Sequence, residues 1–145
     1  MQKLALVLVG SLVFILSTGA WAFSVRRCKK DCSFSDFLNG DFTLEGFLVG
    51  VGGGVAFGLS DNLLLFLGMD SMGPLFHNFP GGEKEIVRAG YGNIFSNAVS
   101  AFTSAFTASA LADMTGVSDT PQWTTALGIV IGGLVGIFVC RRFVL

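Results

Sequence analysis

Residues 44–69 read LEGFLVGVGGGVAFGLSDNLLLFLGM, and this stretch decides the fold. It is apolar over more than the roughly 20 residues a helix needs to cross a bilayer. Its only charges are Glu45 at the start and Asp61 in the second half. A carboxylate at lipid depth costs on the order of 2.5–3.5 kcal/mol even on the mild insertion scale, so Asp61 marks a candidate site. Gly50, Gly54 and Gly58 recur at every fourth position, a doubled GxxxG that opens a groove where another helix can approach closely. The glycines do not form a nucleotide loop, because neither G-x-x-x-x-G-K-[ST] nor G-x-G-x-x-G is present.

Two further apolar segments follow. Residues 86–112 carry small and hydroxylated side chains from Ala98 to Ala110, a composition that favours close interhelical contact. Asn93, Ser96, Asn97 and Ser100 form a second polar cluster there, and Asn93 and Asn97 are one helical turn apart. Residues 124–142 form the last span. Gly128, Gly132 and Gly136 repeat the four-residue spacing, Trp123 sits at the expected interface, and Arg141 and Arg142 anchor the end. Between the first two spans, residues 70–86 are punctuated by Gly73-Pro74, Pro80 and Gly81-Gly82 and read as a connection dipping into the interface.

The whole chain agrees with this reading. Its 145 residues have only 13% charged side chains, against about 25% in soluble domains. Mean hydropathy is +0.70. The expected fold class is all-α, an integral membrane protein with three core transmembrane helices in residues 44–145, plus an N-terminal signal peptide or fourth helix. Residues 1–22 supply that element: Met1-Gln2-Lys3 is a basic start, Leu4 to Leu16 an apolar run, and Ala20-Trp21-Ala22 fits a small-x-small cleavage site. Residues 23–43 are polar and amphipathic, with Phe34, Phe37, Leu38 and Phe42 suited to a membrane surface. Cys28 and Cys32 in this segment are either a disulfide or two free thiols.

Composition and motifs exclude several functions. A net charge of -1 with no basic aromatic face argues against nucleic acid. The single histidine, His77, has no Ser or Cys at a catalytic spacing, so no enzyme is expected. No cofactor is expected either. Hard cations bind oxygen donors, and Asp61, Asn62, Asn93, Asn97, Ser96 and Ser100 could offer them to Na+ or Ca2+. One carboxylate per chain suits sodium or a proton, or calcium shared between two chains. The same Asn and Ser residues could instead be interhelical glue, at about 0.6 kcal/mol each. Expected partners are membrane lipids and either a second copy, giving a homodimer, or a larger membrane complex.

Loop charge bears on orientation. With the amino terminus inside, Lys3, Lys84, Arg88, Arg141 and Arg142 share that side, and the cluster Arg26-Arg27-Cys28-Lys29-Lys30 lies opposite. The membrane is read as an organelle membrane, mitochondrial inner or plastid, or a bacterial-type inner membrane.

Gly58-Leu59-Ser60-Asp61-Asn62, then Gly68, then Ala89-Gly90-Tyr91-Gly92-Asn93-Ile94-Phe95-Ser96-Asn97 resembles the transmembrane protein 65 family over about residues 46–140. The resemblance implies a three-span protein tied to sodium-dependent calcium efflux, with Asp61, Asn62, Asn93 and Asn97 at the ion site. That family's second motif usually ends in Asp, whereas this chain has Asn97. The departure removes one negative charge per chain and favours a monovalent or non-transporting role. The N-terminus also departs, reading as secretory rather than as an Arg-rich mitochondrial presequence.

Overall fold

A computed structural model describes residues 2–29, 33–40, 42–117 and 119–143. The described residues form helices and connections, without strands. They divide into two units, Met1–Gly40 and Asp41–Leu145.

The first unit holds α1 (Gln2–Lys29) and α2 (Phe34–Asn39). Ser33 caps α2 through a reciprocal box: its hydroxyl accepts from the Asp36 amide at 3.1 Å, and Asp36 accepts from the Ser33 amide at 2.9 Å. The cap turns Phe37 inward, where it meets Phe23 of α1 edge-on at 5.5 Å. Phe34 meets the same ring at 5.4 Å. The Cys28–Cys32 pair lies outside the described residues.

The second unit holds α3 (Leu44–His77), α4 (Glu85–Thr115) and α5 (Gln122–Phe143). Each contains a stretch long and apolar enough to cross a membrane: Leu44–Phe66, Glu85–Thr115 and Gln122–Arg142. Large apolar side chains point outward, with Phe102 at 66% exposure, Phe106 at 71% and Phe138 at 69%. Such outward surface suits lipid and would be a liability in water. The chain is therefore an all-α protein of membrane type.

Thr43 starts α3 by accepting from the Gly46 amide at 3.0 Å. The helix then runs for 34 residues, about 51 Å, well beyond the ~30 Å hydrocarbon core. Residues 70–77, expected as connection, are helical, and Pro74 lies inside the helix. Proline costs most in mid-helix, where it removes a hydrogen bond and clashes with the preceding turn. Here only one turn follows it, and the freed carbonyl lies past the Leu44–Phe66 span. At the other end of α4, Gly116 adopts a left-handed conformation (φ 72°) and donates its N–H to the Ala112 carbonyl.

α3 is the middle of a single layer. It packs against α4 on one side and α5 on the other, and α4 and α5 do not touch among the described residues. The α3–α5 seam is built by both glycine stripes at once. A Cβ on Gly54 would collide with the Thr125 carbonyl and come within 2.8 Å of the Gly128 Cα. A Cβ on Gly128 would strike the Val51 carbonyl, one on Gly58 the Ile129 carbonyl, and one on Gly132 the Val55 carbonyl. Backbone meets backbone through the middle of the seam, and at its ends Gly50 makes room for the Thr124 side chain and Gly136 for that of Asn62. The pairs rise together along both helices, so α3 and α5 run parallel. This reciprocal approach of Cα–H groups to carbonyls is the small-residue packing used where lipid offers no hydrophobic drive.

Candidate ion site in the helix layer

α4 meets α3 through a stripe of small residues at four-residue spacing: Ser96, Ser100, Ser104 and Ala108. Ser96 and Ser100 are fully buried. The Ser104 hydroxyl donates to the Gly53 carbonyl at 2.8 Å, crossing from one helix to the other. A Cβ on Gly53 would lie 3.1 Å from the Ala108 Cβ. Farther along, Gly73 and Pro74 share a cleft with Arg88 and Ala89. These two sets of neighbours fix an antiparallel register. It places Asp61 at the level of Asn97 to Ala101.

Two buried polar side-chain atoms have no hydrogen-bond partner among the described residues: Asp61 Oδ1 and Ser100 Oγ. Both belong to the α3–α4 pair and, by the register, to the same level of it. An unsatisfied buried acceptor forfeits its hydration without replacement, which costs about 1–3 kcal/mol and more for a charge. Native structures hold few such atoms, and each calls for a cause.

The six expected ion-site residues divide in three ways. Asp61, Asn97 and Ser100 keep free bonding capacity, since no hydrogen bond from their side chains occurs among the described residues. Asn62 and Ser96 are tied to their own helices: Asn62 Nδ2 donates to the Gly58 carbonyl at 3.0 Å, and Ser96 Oγ donates to the Asn93 carbonyl at 3.1 Å. Asn62 also packs into the α5 groove, where a Cβ on Gly136 would come within 2.8 Å of its own Cβ. Asn93 is exposed on the outer side of α4. The one-turn spacing of Asn93 and Asn97 therefore does not put both amides in the layer. They are about 40° apart around the helix, and the seam boundary falls between them.

The donor set has a definite chemistry. Asp61 supplies the one carboxylate between Glu45 and the end of the Leu44–Phe66 span. A hydroxyl and an amide can add neutral oxygens. Among the described residues no three His, Cys, Asp or Glu side chains converge on a metal geometry. One negative charge with neutral oxygens suits a sodium ion or a proton better than a lone divalent ion.

A second feature lies at the α3–α4 hairpin end, where sequence reading assigns no site. Phe76, Phe79 and Tyr91 form an aromatic cluster, with Phe79 and Tyr91 edge-on at 5.3 Å. The Tyr91 hydroxyl donates to the Pro80 carbonyl at 2.9 Å and ties the hairpin shut. Beside the cluster is a cleft of about 630 Å³, with His77, Glu85 and Arg88 on its walls. Its sequence trace is Arg88 one turn inside an apolar segment, a cation placed where lipid begins.

Comparison of the chain with family models, curated proteins and solved structures finds no match among them.

Proposed function

We propose that this membrane protein handles a monovalent cation, sodium or a proton, through Asp61, with Ser100 and Asn97 as neighbouring oxygen donors. The observation that carries the reading is the buried, unpartnered Asp61 carboxylate oxygen inside a membrane-length helix. Intramembrane ionisable groups are expensive and concentrate on ion and proton paths. A packing role alone would leave no reason for an acid where Asn or Ser bonds equally well. The resemblance to the transmembrane protein 65 family points the same way, toward sodium-coupled calcium movement or its regulation. Asn97 in place of that family's Asp weights it toward the monovalent ion.

A second reading has its own support. Asn62 bonding to Gly58 and Ser104 bonding to Gly53 are packing interactions, and on that pattern the chain is a non-transporting structural subunit of a larger membrane complex. The two separate in proteoliposomes. Sodium and calcium flux is recorded for wild type and for Asp61→Asn, with helicity checked for both. The ion reading expects flux that vanishes in the variant. Well-folded wild type without flux, alone and with its co-purifying partners, would favour the structural subunit.

A further inference from the structure

We infer that the cleft at the α3–α4 hairpin end binds a phosphate group, and that Glu85 selects a phosphate ester bearing a hydrogen-bond donor beside it. The cleft is half-open and offers about 630 Å³, within the ~300–1,000 Å³ range of ligand pockets. Arg88 lines it half-buried, and its guanidinium has no ion pair among the described residues. A planar guanidinium matches phosphate oxygens two at a time, and it is strongest where water is partly excluded. His77 on the facing helix adds a ring N–H donor. The α4 amino terminus opens at the same end, and its N-cap Lys84 makes no side-chain cap. Its first amides and the positive end of the helix dipole favour an anion.

Glu85 sets the limit. Its carboxylate on the same wall repels a dianion and accepts hydrogen bonds from a hydroxyl or ammonium next to the phosphate. Room comes from Gly73 and Gly92: a Cβ on Gly73 would meet nothing within 4 Å, and one on Gly92 would only touch the Phe76 ring at 4.0 Å. Leu75 and Ile86, next in sequence to lining residues, are exposed and would offer acyl chains an apolar surface. A phospholipid headgroup and a free phosphate ester share this chemistry.

The full chain is purified in detergent with equal amounts of phosphatidylglycerol, phosphatidylethanolamine and phosphatidylcholine. Retained lipid is counted by native mass spectrometry. Inorganic phosphate is titrated separately, without lipid. We expect the glycerol and ethanolamine lipids to be retained over the choline lipid, which lacks a headgroup donor. Arg88→Gln should lower that retention about tenfold, as loss of one charge-assisted hydrogen bond implies. Arg88→Lys should be intermediate, and Glu85→Gln should narrow the preference over choline. Unchanged helicity and melting in each variant separate a lost site from a lost fold. Inorganic phosphate binding that Arg88→Gln abolishes, without lipid preference, would keep the site and assign it to a free phosphate. Equal retention of all three lipids by wild type and Arg88→Gln, with no phosphate binding, would overturn the proposal.

Discussion

At Asp61 two free energies compete. Burying one carboxylate oxygen without a partner destabilises the helix layer, and a cation at that oxygen would offset the cost. The neighbours show that the layer has cheaper ways to hold polar groups. Ser60 folds back onto the Ala56 carbonyl at 2.6 Å, and Thr103 onto the Val99 carbonyl at 3.0 Å. Among the described residues, only Asp61 and Ser100 leave a fully buried side-chain atom without such a partner. Outside the membrane-length helices, Asp36 shows the ordinary case of a satisfied acid. Hydrogen bonds from the Ser33 hydroxyl and amide hold its carboxyl below its usual value near 3.8. Because the folded value is the lower one, the cap's contribution is complete above the unfolded pKa and is lost as pH falls through the folded one. The Ser33 amide resonance, followed by NMR in an acid titration of the full chain, should therefore shift with a midpoint below that of an exposed Asp. A midpoint at or above the exposed value would remove the capping box.

At the scale of elements, the same substitution should act with opposite signs at two glycines. Gly54→Ala drives a methyl into the α5 backbone and should destabilise the fold by about 1–3 kcal/mol through overpacking. Gly90→Ala, within α4 with nothing inside 4 Å, should stabilise by about 0.5–1 kcal/mol through lost backbone freedom in the unfolded chain. Denaturant unfolding in detergent micelles measures both, and equal effects would dismiss the seam as the source of α3–α5 stability. The seam also shows how far the sequence could be read. Apolar length alone reveals the three spans, because a lipid solvent demands satisfied backbone over that length. The two GxxxG stripes are equally visible, but spacing cannot say which surface each one meets. They meet each other within the chain, so a homodimer would need another face. Hydropathy likewise cannot reveal that α3 passes through Pro74 to His77, since Gly73-Pro74 reads as a break. Asn93 and Asn97 look equivalent by spacing and part company because the seam edge runs between them.

At the scale of the whole span unit, parallel α3 and α5 sort charge between its two ends. Lys84, Arg88, Arg141 and Arg142 share the hairpin end with the acids Glu83 and Glu85, while the other end carries Glu45, Asp113 and Asp119. Cytoplasmic-side loops carry the Lys and Arg excess, so the hairpin end should face that side. Single cysteines introduced at Asn78 and Met114 in an otherwise cysteine-free chain should react with an impermeant maleimide from opposite sides, Asn78 from the inner one. Labelling of both from one side would refute the three-span crossing. The layer itself is open: α4 and α5 leave α3 uncovered between them, so a closed ion path needs further chains around it.

The most direct test of the central claim is the melting temperature of the purified chain against sodium at constant ionic strength, for wild type and Asp61→Asn. A cation bound at Asp61 stabilises the folded form alone, by about 1.4 kcal/mol at ten times its dissociation constant. Wild type should therefore melt higher as sodium replaces a large organic cation. Asp61→Asn should melt at one temperature throughout, no lower than sodium-free wild type, because it removes the acid whose oxygen is buried without a partner. A wild-type curve indifferent to sodium and pH, or an equal rise in the variant, would contradict a cation site at Asp61.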